Sequence, residues 1–234
     1  MNLALSLALA FLPGFIWLIF YLSEDSHAEP KTLVFLTFIC GAASAFVALL
    51  IQHSLNQAGL TGSPSALGDT EQLTFKFILS LTVFSLVEEL CKFGAAYLVI
   101  RKSKEFSQPI DAMVYLVIAS LGFATVENFG VTMPGRLESQ GLHILIETLA
   151  LRFIGATLLH TLSSGLLGYY WAMSIRHFKT IMPLMFGIVA ATLLHAEFNY
   201  LIIRHENAFY SLAFVILAGF LTLNDFERLK QKAV

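Results

Sequence analysis

Apolar stretches long enough to span a membrane constrain the fold of this chain more than any other feature. They run near residues 2–22, 32–52, 73–100, 110–131, 142–175, 181–203 and 207–223. About 20 apolar residues in an α-helix cross the roughly 30 Å of hydrocarbon in a bilayer. The sequence therefore predicts an all-α, polytopic membrane helix bundle with about seven transmembrane helices.

Composition agrees with a protein that lies in lipid. The chain is 57% hydrophobic and 13% charged, with a mean hydropathy of +0.75, above the apolar share of an ordinary soluble domain. Its net charge of -2 gives no basic patch for a nucleic acid, so we predict membrane lipid as a partner and no nucleic acid. Cys40 and Cys91 fall within apolar stretches, which favours small buried side chains over a disulfide or a metal pair. We predict one transmembrane domain, 1–234, whose motif-bearing core is about 73–203.

Basic residues in the connections predict the orientation of the bundle. With seven spans, Arg101–Lys104, Arg176–Lys179 and the basic C-terminal tail fall on one side of the membrane. The positive-inside rule then places the C-terminus in the cytoplasm and the N-terminus outside. The loop 56–72, which carries no Lys or Arg, falls outside. The first stretch lacks a basic n-region and reads as a retained span, with cleavage after residue 28 as the alternative.

Ionisable side chains interrupt several of the predicted spans at a similar depth. At 1.5 Å per residue they lie between about 18 and 27 Å from the cytoplasmic ends of their helices. A charged residue at a helix centre costs about 2.5–3.5 kcal/mol on insertion scales, so function is the default expectation for such groups. The residues are Glu88 and Glu89 in the third span, Glu127 in the fourth, His160 in the fifth and His195 in the sixth, and Lys92 lies about one turn nearer the cytoplasmic end than Glu89.

Spacing within the helices supports one convergent cluster. Lys92 lies four residues after Glu88 and three after Glu89, so it can neutralise either carboxylate. The two glutamates diverge by about 100° around the helix axis and cannot do identical work. His195 and Asn199 share a helix face, four residues apart. Small residues in "ASLGFA" and "SSGLLG" predict close approach of the fourth and fifth helices to others.

Carboxylates and imidazoles around a water are the parts needed for hydrolysis. They serve either general-base catalysis or a metal-bound hydroxide. Zinc accepts Glu oxygen and His nitrogen, and catalytic sites combine three protein ligands with one open position. The sequence has no HExxH, so a metal site would have to assemble from separate helices. Buried carboxylates and histidines also build proton relays, which leaves a proton-coupled transporter or channel as the alternative. An inactive scaffold that binds membrane segments is a third reading.

Four motifs in order resemble a known family. EExxK, FxxxEN, an Arg followed by an intramembrane His, and HxxxN occur here as "EELCK" (88–92), "FATVEN" (123–128), "RFIGATLLH" (152–160) and "HAEFN" (195–199). Together they resemble the PrsW family of intramembrane proteases over residues 85 to 200. That family is distantly similar to the CAAX-processing and Abi proteases, with EExxxR, FxxxH and HxxxN. Here Glu127 stands where those proteins have His, and Lys92 comes one position before their Arg.

The resemblance implies an intramembrane endopeptidase, of metallo or glutamic type. Such an enzyme would cleave a peptide bond in or near the membrane segment of a single-span membrane protein, and anti-sigma factors are the known type of substrate in some bacteria. It would be a multi-pass protein of the cell membrane, in a bacterial inner or plasma membrane. Its predicted catalytic residues are Glu88 or Glu89 as general base, Lys92 to hold that pair charged, and Asn199 as oxyanion donor.

A metal is predicted for the same cluster. The predicted zinc ligands are Glu127, His160 and His195, and a metal-free glutamic mechanism in which these residues position water is the alternative. Asn128 follows Glu127 directly, and Arg152 precedes His160 by about two turns. We predict that both support the ligands from outside, with Arg152 orienting a carboxylate.

Overall fold

The computed structural model describes residues 3–24, 29–62, 75–133, 148, 150–175, 180–204 and 208–231. Seven long α-helices occupy this described part. They are α1 (Leu3–Glu24), α2 (Lys31–Gln57), α3 (Phe75–Ile100), α4 (Pro109–Thr132), α5 (Thr157–Met173), α6 (Met182–Arg204) and α7 (Ala208–Gln231). The predicted all-α bundle is confirmed. The alternative cleavage point, most of the loop 56–72, the start of the fifth predicted span and the connector 176–179 lie outside the described residues.

Membrane-spanning character is clearest in α1, α2, α4, α6 and α7. Among the described residues, these five helices are long and apolar enough to cross a bilayer. The third helix, α3, is 26 residues long but carries Glu88, Glu89 and Lys92 along its length. The fifth helix, α5, has 17 residues and follows a π-helical turn, Arg152–Ala156. The chain is therefore a multi-pass membrane protein, and the two helices that depart from plain apolar spans are two that carry predicted site residues.

Helix α4 is the centre of the bundle. Every residue from Pro109 through Thr125 is buried, and the helix packs against α1, α2, α3 and α5. A helix that is apolar all round is stable only when it is surrounded in this way. Asp111 accepts hydrogen bonds from the backbone N–H groups of Ser107 (2.8 Å) and Gln108 (2.7 Å). This carboxylate therefore caps the start of α4.

Consecutive helices run in alternating directions. One core cluster contains Tyr21, Ile100 and Trp171 from the ends of α1, α3 and α5 together with Ile110 from the start of α4. Leu229, near the end of α7, belongs to the same cluster. The C-terminal ends of α1, α3, α5 and α7 therefore lie at the same end of the bundle as the start of α4.

Small residues allow the backbones of α2 and α5 to pack directly against the backbone of α4. A Cβ atom added to Gly122 would lie 2.0 Å from the carbonyl oxygen of Phe38, and one added to Gly168 would lie 2.6 Å from the Cα of Met113. No side chain fits in such a gap. The predicted close approach at "ASLGFA" and "SSGLLG" is confirmed.

Replacing Gly122 by alanine is expected to destabilise the protein by about 1–3 kcal/mol, because the added methyl group forces apart two packed backbones. Gly94→Ala is the matched control, since a Cβ at Gly94 meets nothing within 4 Å and alanine has the higher helix propensity. Unfolding temperatures of the two variants in detergent would measure the difference. Equal temperatures would contradict the close crossing of α2 and α4.

Candidate active site

The predicted site residues, except Asn199, meet in one network inside the bundle. Helices α3, α4, α5 and α6 and the π-turn before α5 each contribute to it. Its members are Glu88, Glu89, Lys92, Glu127, Asn128, Arg152, His160 and His195.

Glu89 is the most fully bonded member of the network. Its Oε1 accepts hydrogen bonds from Lys92 Nζ (2.8 Å), His195 Nδ1 (2.8 Å) and Ser163 Oγ (2.9 Å). Its Oε2 accepts one from Ser164 Oγ (3.0 Å). The side chain is 0% exposed. Sequence reasoning missed both serines, although they follow His160 by three and four residues and so share its helix face.

Lys92 connects Glu89 to the first histidine. Its Nζ lies 2.8 Å from His160 Nδ1 and 4.8 Å from the centre of the Phe123 ring. Because an ammonium group only donates, His160 Nδ1 accepts and its Nε2 carries the proton. That N–H donates to Glu127 Oε2 at 2.9 Å. The network thus runs from one carboxylate through a cation and an imidazole to a second carboxylate.

Glu127 and Arg152 lie on the open side of the network. Their side chains are 32% and 19% exposed, whereas those of His160 and His195 are 3% and 2% exposed. Arg152 Nη2 donates to Glu127 Oε2 at 3.4 Å, and its Nε donates to Asn128 Oδ1 at 2.5 Å. Asn128 in turn donates to Thr157 Oγ1 at 3.1 Å. Arg152 contacts a carboxylate as its position in the sequence predicts.

Among the described residues, Glu88 forms a hydrogen bond through only one of its two oxygens. Its Oε1 accepts from Gln52 Nε2 at 3.0 Å. Its Oε2 is buried without a hydrogen-bond partner in the described structure, and it lies 3.5 Å from His195 Nε2. A buried polar atom without a partner is uncommon in a native protein and requires an explanation. Gln52, near the end of α2, was missed because a single glutamine in an apolar span gives no specific signal.

Glu88, His160 and His195 form a group that fits a metal ion. One ligand atom from each lies within 4.8 Å of the others, and all three residues are buried. The two imidazole rings are nearly perpendicular, with centroids 4.9 Å apart. Because His195 Nδ1 is held by Glu89, its Nε2 is directed toward Glu88. Metal-binding histidines are commonly held by a carboxylate in this way.

Asn199 and Glu197 lie outside the network. Asn199 is partly buried one turn beyond His195, and no hydrogen bond between described residues joins it to the cluster. Glu197 is exposed and lines a depression between α3 and α6. Cys40 and Cys91 are free and partly buried, as expected for small apolar side chains.

Comparison with known proteins identifies the family. A family model described as "PrsW family intramembrane metalloprotease" matches residues 29–223, most of the chain and all of the network. The chain belongs to the PrsW family. The resemblance seen in the four motifs is confirmed, and the protein is an intramembrane protease that acts on a protein substrate. Membership in the PrsW family favours this activity over the transporter alternative.

Curated relatives support the same assignment over similar lengths. "Protease PrsW" of Geobacillus kaustophilus is 28% identical over 200 residues, which cover 85% of this chain and 80% of that protein. "Protease PrsW" of Clostridioides difficile is 25% identical over 226 residues, covering 94% and 89%. "Protease PrsW" of Bacillus subtilis is 23% identical over 200 residues, covering 84% and 82%. No solved structure shows significant similarity to the chain.

Proposed function

We propose that this PrsW-family protein cleaves a peptide bond in or near the membrane segment of a single-span membrane protein, such as an anti-sigma factor, in a bacterial plasma membrane. The observation that carries the proposal is the buried Oε2 of Glu88, which has no hydrogen-bond partner among the described residues and lies beside His195. The chain would act as one transmembrane domain with its N-terminus outside, as its basic connectors indicate.

Zinc fits the group formed by Glu88, His160 and His195. To act as a ligand, His160 would release the Nε2 proton that it donates to Glu127, since its Nδ1 is held by Lys92. Two imidazoles and one carboxylate are a ligand set of catalytic zinc, which keeps one further position open. When bound, zinc would polarise the scissile carbonyl and activate water at neutral pH. This set differs from the sequence-based one because Glu88 replaces Glu127. The geometry favours the exchange, since Glu88 Oε2 has no other partner in the described structure, whereas Glu127 already pairs with Arg152.

Glu127 is the carboxylate that would take the proton from the attacking water. It is the most exposed acid of the network and lies beside His160, on the side from which water and substrate can arrive. As a carboxylate that accepts a hydrogen bond from Arg152, it is held in place to take up a proton. After the attack, the same carboxyl group can pass that proton to the leaving amine.

The remaining residues position these groups. Glu89 holds His195 through Nδ1, and Lys92 balances the charge of Glu89 while it touches His160. Asn199, one turn beyond His195, would donate a hydrogen bond to the developing oxyanion. One such donor contributes on the order of 2.7–4 kcal/mol in acyl transfer.

Metal content and cleavage test the proposal together. Protein purified without nickel affinity should contain near-stoichiometric zinc by elemental mass spectrometry and should cut a reconstituted single-span protein. We expect His195→Ala to lose both properties. His53→Ala is the matched control, because His53 is exposed near the end of α2 and bonds only Gln57 among the described residues. An active, metal-free wild type would contradict the zinc site and leave Glu88 as the water-activating group of a glutamic protease.

A further inference from the structure

A cavity of about 260 Å³ lies beside the open side of the network. It is bounded by the π-turn, by α6 and by α7. The residues that shape it are Gly155, Ala156, Phe198, Ile202, Ser211 and Leu212.

Arg152 joins this cavity to the active site. Its side chain lines the cavity, and its guanidinium group donates to Glu127 at 3.4 Å. Only two of the five N–H donors of the guanidinium are used within the described structure, for Glu127 and Asn128. Because Arg152 contacts both Glu127 and the cavity, a polypeptide backbone that reached Glu127 would lie next to the mouth of the cavity.

Gly155, in the π-turn, lines the cavity without a side chain to fill it. Single π-helical turns inside longer helices occur frequently at functional sites. A Cβ on Gly155 would lie 3.3 Å from Phe198 Cζ, so any larger residue there would press on the cavity wall. Phe198 is 1% exposed and packs with Leu159 and Val215, so this wall of the cavity is held in place by the core. Ile202 is 50% exposed at the edge.

We infer that this cavity is the subsite for the apolar substrate side chain next to the scissile bond. The inference rests on the proposed function. The walls are mainly apolar, and the volume is below the roughly 300–1,000 Å³ of pockets for whole small molecules. A cavity of about 150 Å³ already holds a benzene molecule. This cavity therefore suits one large apolar side chain, up to the size of phenylalanine, with Arg152 holding the adjacent main chain by N–H groups that have no partner in the described structure.

Resizing the cavity tests this inference. The probe is a mixture of synthetic single-span peptides that carry Ala, Val, Leu or Phe at randomised positions, with cleavage sites mapped by mass spectrometry. Wild type should cut beside Leu or Phe in preference to Ala. Ile202→Phe should shift the preference toward Ala, and Ile202→Ala toward Phe. Each shift should be at least about tenfold, as expected when a pocket gains or loses methylene-sized space.

Variants on the lipid-facing surface control for general effects. Val189→Phe and Val189→Ala change an α6 residue that is 54% exposed, and both should keep the wild-type preference. If Ile202→Phe does not fold, Ser211→Leu fills the cavity from α7, and Ala213→Leu is its exposed control. An unchanged preference in active Ile202 variants would overturn the subsite and leave the proposed function standing. No cleavage by wild type would overturn both.

Discussion

Glu88→Gln is expected to lose zinc and to reduce cleavage by more than about 100-fold, while it unfolds at nearly the temperature of wild type from which zinc has been removed. Even outer partners of a metal site cost 10–100-fold when they are removed, and Glu88 is proposed to be a ligand. The fold should persist because the glutamine side chain of the variant keeps an oxygen that can accept from Gln52. Its amide N–H₂ group can donate to the nitrogen of His195 that faces it.

Zinc content, cleavage rate and unfolding temperature of the same preparation would measure this result. Glu197→Gln is the matched control, since Glu197 is an exposed glutamate of α6 and should keep all three properties. The opposite pattern, zinc retained in Glu88→Gln and lost in Glu127→Gln, would return the ligand set to Glu127, His160 and His195.

Glu89→Gln is expected to destabilise the protein by about 3–5 kcal/mol, because it leaves the buried Lys92 without its charge partner. Lys92 and Glu89 are both 0% exposed, so water cannot replace the lost carboxylate. For a chain of this size the unfolding temperature should fall on the order of 10 °C. Cleavage should also fall, since His195 would lose the group that holds Nδ1.

The double variant Glu89→Gln, Lys92→Met distinguishes the effect of an unpaired Lys92 charge from the effect of losing the Glu89 carboxylate. It removes the unpaired ammonium, so it should be more stable than Glu89→Gln alone but equally inactive. A Glu89→Gln protein that is as stable as wild type and inactive would instead make Glu89 the proton acceptor of the reaction.

The helices and their chemistry could be predicted from the sequence because both follow local rules. Span length and apolar composition determine the seven helices, and a charged group in lipid is costly enough to mark Glu88, Glu89 and Lys92 as special. The similar depth of His160 and His195 follows from helix rise alone. These features need no knowledge of which helix packs against which.

The division of work between neighbouring groups could not be predicted in this way. The rotation of about 100° between Glu88 and Glu89 shows that their surroundings differ. Only the packing of α3 against α2, α5 and α6 shows which of the two carboxylates has both oxygens hydrogen-bonded. Ser163, Ser164 and Gln52 acquire their roles through contacts more than 30 residues away in sequence. The π-turn before α5 has no composition that distinguishes it from an ordinary helix start.

The distribution of the network along the chain has a consequence for biosynthesis. The proposed ligands come from α3, α5 and α6, and the proposed base comes from α4. A nascent chain inserted only as far as α5 has Glu88, Glu127 and His160 but still lacks His195. The protease would therefore stay inert toward neighbouring membrane proteins until its sixth helix has entered the bilayer. Its activity would then begin in a single step, when α3, α4, α5 and α6 first bring their site residues into contact.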